Sequence, residues 1–263
     1  MQREIEIQGV VLDVDGTLVD SNDRHTRAWC DALEACGFRA PFRAVRRLIG
    51  MGSDKLIPRI TGHAHETAIG KKLSKLRGER FREDHLARVR PFDGSRALVE
   101  RFLERGIRVA IASSAAPKER DALLEIAGVA ELLEEKKKNT DAAKSKPDPD
   151  IVRAALAKLD LPARRVLMIG DTPYDVQAGA VAGIRTIAFR SGGEWDDDEL
   201  IGALAIVDGP RALERSMSQD ARRRVSIASS RASAANGERG ASYTWRAGTS
   251  RTTSKKAARR SRS

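Results

Sequence analysis

The strongest constraint on the fold is a repeated pattern: a short apolar segment stops at a polar residue and a helical stretch follows. Residues 5–12 read Ile-Glu-Ile-Gln-Gly-Val-Val-Leu. They pass from alternation into a continuous apolar run and stop at Asp13. Residues 107–112 run into Ser113, residues 166–170 run into Asp171, and residues 184–189 form a further apolar segment after Gly183. Between them, residues 95–105, 117–127, 148–159 and 174–182 carry apolar positions at helical spacing or small apolar runs. Strands alternating with helices of about ten residues predict an α/β fold, a Rossmann-like parallel sheet with helices on both faces. Ligands of such sheets bind outside the carboxyl ends of the strands, so the polar residues at those ends are the first candidates for function.

Residues 21–88 break the rhythm. They show helical periodicity without a convincing strand. Ser21 or Asn22 is a candidate helix cap. His25, Trp29, Leu33 and Cys36 share a face, Pro41 suits a helix start, and Gly50-Met51-Gly52 marks a turn. The expectation is a catalytic core made of residues 1–20 and 89–213, with a small all-helical domain at 21–88 inserted after the first strand. His25 reads as a packed or hinge-side histidine, and Arg47 is a weaker substrate-reading candidate.

Net charge is +11, but its distribution decides what it means. Residues 214–263 hold 13 Lys+Arg against 3 Asp+Glu, whereas residues 1–213 hold 35 and 34. The body is electrically ordinary, and the basicity belongs to a Ser/Thr/Arg/Ala/Gly-rich tail. That composition offers little apolar area to offset ordering entropy, so a disordered basic tail is expected. Its cluster Lys255-Lys256-Ala257-Ala258-Arg259-Arg260, with Tyr243 and Trp245, supports a weaker reading of another class, binding of nucleic acid or another polyanion by counterion release. No apolar run approaches the ~18–20 residues that cross a bilayer. Cys30 and Cys36 lie six apart on one predicted helix, too poorly placed for a disulfide. With a charged N-terminus and no apolar leader, a reducing cytoplasm is the simplest compartment. Monomer and homodimer both stay open.

The strand ends and one loop bring together Asp13, Asp15, Ser113, Ser114, Asp171, Asp175 and Lys146, the last in Lys144-Ser145-Lys146-Pro147-Asp148-Pro149. Crowded carboxylates repel and call for a cation. Oxygen-only ligands favour a hard ion, Mg²⁺ above all, and the chain has no dense His/Cys set for zinc. A carboxylate, a metal and a lysine around one point suit a phosphoryl group. Asp13 would attack phosphorus in line to give an aspartyl phosphate. Asp15 would protonate the leaving oxygen and later deprotonate water, a role that calls for a raised pKa. Each residue also has a plainer reading. Asp13 and Asp15 could start a turn, Ser113 could cap a helix, Lys146 could be exposed, Asp175 could stabilise a helix N-terminus, and Thr17 could bond its own loop. Ser114 divides between structural and phosphate-contacting roles, and Lys55 between substrate reading and solvation.

Asp13-Val14-Asp15-Gly16-Thr17-Leu18-Val19-Asp20 resembles the first motif of the haloacid-dehalogenase superfamily. Ile111-Ala112-Ser113, Lys146-Pro147-Asp148-Pro149-Asp150 and Gly170-Asp171-Thr172-Pro173-Tyr174-Asp175 resemble its second, third and fourth, in family order. The resemblance implies a helical cap after the first strand. It also implies a metal held by Asp13, the backbone carbonyl of Asp15 and Asp171, with Asp175 a further ligand or a neighbour of the ligands. Asp15 argues against dehalogenase and phosphonoacetaldehyde-hydrolase chemistry, since both lack that acid. His25-Thr26-Arg27-Ala28-Trp29 resembles the cap start of beta-phosphoglucomutase-like proteins, but Ser53 falls where those mutases carry an arginine. The expected activity is Mg²⁺-dependent hydrolysis of a small phosphorylated metabolite of the sugar-phosphate or phosphoglycolate type, with a phosphomutase as the alternative. Thr17, Ser114 and Lys55 are the candidate substrate-binding residues.

Overall fold

The structure is a computed structural model that describes residues 3–136, 144–220 and 241–245. Strands β1 (Arg3–Ile7) and β2 (Gly9–Leu12) replace the single expected strand. The break falls at Gln8, whose N–H donates to the Arg165 carbonyl while its own carbonyl accepts from the Arg108 N–H. The chain then forms β3 (Val19–Asp20), helices α1 (Asn22–Ala35), α2 (Phe42–Arg46), α3 (Ser53–Thr61) and α4 (Ala68–Arg80), and a π turn at Phe81–His85. It returns through β4 (Arg90–Pro91), which pairs antiparallel with β3. The helical insertion thus leaves and rejoins the sheet region through one two-stranded neck.

The remaining elements alternate: α5 (Ser95–Glu104), β5 (Arg108–Ile111), α6 (Pro117–Ile126), α7 (Asp150–Leu159), β6 (Val166–Gly170), α8 (Pro173–Val181), β7 (Arg185–Phe189), β8 (Ala205–Val207) and α9 (Pro210–Asp220). The main sheet has the order β5-β2-β6-β7-β8 and all its pairs are parallel. β2 lies between β5 and β6 and is buried at every position, as a strand covered on both faces should be. One apolar cluster packs Leu12, Leu98, Phe102, Leu123 and Phe189 on one side of the sheet, and another packs Val11, Ile151, Met168 and Ile184 on the other. Each such fully buried large side chain contributes about 1.5–3 kcal/mol. Within 22–88 a separate cluster joins Trp29, Leu33, Val45, Leu56, Ile57 and Leu73.

Two stretches of the segment expected to be disordered are ordered. α9 continues through 214–220, and Met217 is buried in the main cluster. Residues 241–245 form β9 (Ala241–Trp245), parallel to β1 with Ile5 opposite Tyr243 and Ile7 opposite Trp245. Tyr243 and Trp245 are buried, and the Trp245 ring lies 5.5 Å from Phe102. The alternating Tyr-Thr-Trp run supplies what the surrounding polar sequence lacks, an apolar face for one side of a strand. The basic cluster at 255–260, proposed for polyanion binding, lies outside the described residues. Among the described residues no helix is long and apolar enough to cross a membrane. Cys30 and Cys36 are free and half-buried.

Candidate active site

Register brings the site together. Leu12 pairs with Ile111 on one side and Ile169 on the other, so Asp13 leaves β2 level with Ala112 and Gly170. The Asp13 N–H donates to the Ile169 carbonyl at 2.9 Å. Asp171 follows directly after β6. Ser113 emerges beyond β5, where its hydroxyl accepts the Ala115 N–H at 3.1 Å. The tight turn after Asp15 uses Gly16 at φ 74°, where a Cβ would come within 2.1 Å of an Asp171 oxygen. Only glycine combines that backbone with so close an approach.

Asp13, Asp171 and Asp175 are all buried, and each offers a carboxylate oxygen within 4.8 Å of the others. The Lys146 ammonium, 1% exposed, donates to Asp13 Oδ1 and, at 2.7 Å, to Asp175 Oδ1. The Thr17 hydroxyl lies 3.2 Å from Asp13 Oδ2 and 3.3 Å from Asp171 Oδ1. It serves carboxylates, not its loop backbone. The Asn22 amide, which sequence reasoning saw only as a cap, donates to Asp171 Oδ2 at 2.9 Å. Asp175 is committed elsewhere: its Oδ2 accepts from the N–H and hydroxyl of Thr172, closing a capping box at the start of α8. With its other oxygen on Lys146, Asp175 orients the ammonium and starts a helix.

Burial dominates the electrostatics. It raises the Asp13 carboxyl to about 7 against the opposing pull of Lys146, and the charges of Asp175 and Asp15 add to the rise. Burial, then Asp13 and Asp175, hold Asp171 well above the usual carboxylate range. Burial pulls Lys146 down, but the carboxylates of Asp13 and Asp175 more than offset it and hold the ammonium protonated. Three buried carboxylates against one ammonium form a donor set short of positive charge. All its ligand atoms are oxygens, and burial with mutual repulsion makes Asp13 and Asp171 resist ionisation. The residues therefore fit a hard divalent ion.

Asp15 departs from expectation. Its carboxyl should have been raised for acid work. Burial does push it up, but the charge and hydrogen bond of His25, with help from Ser21, outweigh that and lower it. Its Oδ1 accepts from Ser21 Oγ at 2.5 Å and lies 2.7 Å from His25 Nε2. This occupation explains why Ser21, at the N-cap position of α1, makes no side-chain cap bond. His25 also stacks on Phe81, with ring centroids 3.9 Å apart.

A cleft runs over these groups, lined by Asp13, Asp15, His25, Trp29, Ser53 and Ser114 among others, with an open volume of about 460 Å³. Ser114 is held only loosely, 3.5 Å from the Gly50 carbonyl. Lys55 is not on the lining. Its ammonium lies 2.5 Å from an Asp148 oxygen outside the lining, where that ion pair draws it. Arg47 is likewise outside the lining, ion-paired with Glu199 and 4.2 Å over the Trp195 ring. Sequence reasoning missed Arg77 and Glu119. They line the cleft from α4 and α6, and neither sits in a recognisable motif.

Comparison with known proteins gives the family. A family model described as haloacid dehalogenase-like hydrolase matches residues 7–183. A phosphoglycolate phosphatase of Rhodospirillum rubrum is 31% identical over 211 residues, covering 76% of this chain and 87% of the relative. An N-acetylmuramic acid 6-phosphate phosphatase of Pseudomonas aeruginosa is 26% identical, covering 80% and 95%. The crystal structure of a hydrolase from Pseudomonas syringae superposes with a TM-score of 0.72 at 26% identity, covering 83% of this chain and 99% of that one. With its family motifs converging on one sheet edge, this chain belongs to the haloacid dehalogenase-like hydrolases.

Proposed function

We propose that the chain is a Mg²⁺-dependent phosphatase that hydrolyses a small phosphate monoester through an aspartyl phosphate on Asp13. The observation that carries this reading is the buried ammonium of Lys146 held against Asp13 and Asp175, beside Asp171. It is a site with a nucleophile, a cation for phosphoryl oxygens and a carboxylate set that suits a hard ion. The relatives named as phosphatases of phosphoglycolate and N-acetylmuramic acid 6-phosphate support the substrate class.

In this mechanism Asp13 and Asp171 would hold the ion, together with the Asp15 backbone carbonyl. When bound, Mg²⁺ neutralises charge on the phosphoryl oxygens. Lys146 takes another share of that charge and favours the ionised form of Asp13 that attacks. Ser113 binds a phosphoryl oxygen. Asp15 gives its proton to the leaving alkoxide and takes one back from the water that cleaves the aspartyl phosphate. A dianionic phosphoryl group beside Asp15 would oppose the lowering by His25 and so favour the protonated carboxyl. Residues 21–88 act as the cap on the core of 1–20 and 89–213. The Asp148 pair of Lys55 and the Glu199 pair of Arg47 hold its rim, and closure excludes bulk water.

The direct test is phosphate release from p-nitrophenyl phosphate and a panel of phosphorylated metabolites, with isomerised products scored alongside. EDTA should abolish release and Mg²⁺ restore it. Full activity in EDTA sinks the metal assignment, and isomerised sugar phosphate without release of phosphate sinks hydrolysis in favour of mutase chemistry.

A second expectation concerns pH. Asp13 has a folded-state pKa of about 7 against an ordinary 3.8. Without a cation the folded state therefore binds more protons than the unfolded state between those values, and stability falls as pH rises through that window. Mg²⁺ relieves the cost of ionisation, so its stabilising effect in thermal melts should be larger at pH 8 than at pH 5.5. Equal shifts at the two pH values would contradict the assignment.

A further inference from the structure

The cleft has a second charged wall that the phosphoryl chemistry does not use. Arg77 on α4 donates from Nη1 to both carboxylate oxygens of Glu119 on α6, at 2.7 and 2.9 Å. The Glu119 side chain is 2% exposed and that of Arg77 14%, and the guanidinium lies 5.5 Å from the centre of the Trp29 ring. His25 connects this wall to the reaction centre, with Nε2 2.7 Å from Asp15 and Nδ1 3.9 Å from Glu119 Oε1. Glu119 therefore stands one imidazole ring beyond Asp15, on the wall of the same cleft.

Among the described residues lining the cleft, the side chains able to carry positive charge are His25 and Arg77. His25 is engaged by Asp15, and the Arg77 charge is matched by Glu119 through Nη1, while its Nε is buried without a hydrogen-bond partner. Lys146 is not on the lining and belongs to Asp13 and Asp175. A leaving group with a carboxylate or second phosphate of its own finds no lining cation whose charge is not already balanced by a carboxylate, and it adds a second negative charge beside Glu119. If Arg77 turned to it, Glu119 would lose its partner in a buried setting, and breaking such a pair from one side is strongly unfavourable. A neutral, hydroxyl-bearing leaving group carries no such penalty. Its hydroxyls can donate to the lone pairs that Arg77 leaves on Glu119.

We infer that the Arg77–Glu119 pair sets specificity: the cleft favours phosphate monoesters of neutral hydroxylated alcohols and disfavours those with a second anion beside the ester oxygen. This rests on the phosphatase reading above. It separates the chain from the relative named for phosphoglycolate, whose leaving group carries a carboxylate.

Two small substrates isolate the charge: 2-hydroxyethyl phosphate and 2-phosphoglycolate differ only in a CH₂OH against a carboxylate. The wild type should show kcat/KM higher for 2-hydroxyethyl phosphate by about tenfold or more, mostly through KM. Glu119→Gln keeps the shape and can still accept from Arg77, but it removes the charge. It should move the ratio at least about tenfold towards 2-phosphoglycolate. A merely structural role would lower both substrates in parallel, and an unmoved ratio overturns the inference. So does a wild type that prefers 2-phosphoglycolate or turns both over equally, a result that needs no variant to fold. With p-nitrophenyl phosphate as control, either result alongside its hydrolysis removes the specificity inference alone. No phosphate release from any of the three in Mg²⁺ removes the phosphatase reading and this inference with it.

Discussion

Asp13→Asn is expected to lower kcat for phosphate release from p-nitrophenyl phosphate by roughly four orders of magnitude or more while leaving the protein folded. An amide is too weak a nucleophile to form the acyl phosphate, and the neighbouring groups have no replacement to offer. Asp171 is bonded to Thr17 and Asn22, and Asp175 to Lys146 and Thr172. The fold should survive because Asn occupies nearly the same volume and its carbonyl can accept from Lys146. It also removes a charge that burial and the nearby Asp175 and Asp15 already oppose. The melting temperature of the variant, measured without Mg²⁺ at pH 8, should therefore match or exceed that of the wild type. Normal turnover would sink the nucleophile assignment. A large drop in melting temperature would instead mean that the Asp13 charge is needed to hold Lys146 in place.

Lys146→Met should damage both activity and stability. The side chain is fully buried, and methionine fills much of its volume without the ammonium. Asp13 and Asp175 then lose their shared counter-charge, and stranding buried carboxylates in this way costs about 3–5 kcal/mol. For a domain of this size each kcal/mol is worth roughly 2–4 °C, so a fall in melting temperature of roughly 10 °C is expected at pH 8. The deficit should shrink towards pH 5. Lys146 lowers the Asp13 pKa in the wild type, so its loss pushes that carboxyl further above 7 and lets it protonate more readily as pH falls. Activity should fall by a factor of about a thousand or more, since the loss of one preorganised cation at a developing charge has that scale. A variant that melts within a degree or two of the wild type at pH 8 would show that the ammonium is not the electrostatic keystone of the cluster.

Much of the site was legible in the sequence for a physical reason. Parallel strands in register align their carboxyl ends, so residues far apart in the chain become neighbours once the strands are recognised. Asp13, Ser113 and Asp171 follow from that rule alone, because each ends an apolar segment that β2, β5 or β6 occupies. Lys146 lies in a loop before α7, and its motif marked it even though no strand leads to it. What could not be read was the second partner of each group. Ser21 and Asn22 read as helix caps, yet their side chains go to Asp15 and Asp171. Lys55 read as a substrate contact, yet Asp148 draws it outside the cleft lining. Such choices are made between elements whose separation depends on helix packing, and no local periodicity records them.

The same division applies at the chain's end. Composition marked residues 214–263 as unable to form a core, and it missed that a five-residue strand needs only two apolar side chains if a waiting strand supplies the rest. β9 lies against β1 with Tyr243 and Trp245 in the main cluster. By itself, then, the sequence determined the strand–helix alternation, the helical insertion and the acid and lysine positions of the proposed phosphoryl site, because periodicity and strand-end placement are local properties. Only the tertiary structure decided that His25 lowers the Asp15 carboxyl, that Asp175 serves Lys146 and the α8 cap, and that Arg77 spends its charge on Glu119. Each of these depends on which buried groups meet at distances of a few ångströms, where burial and Coulomb energy are large enough to choose among partners the sequence leaves equivalent.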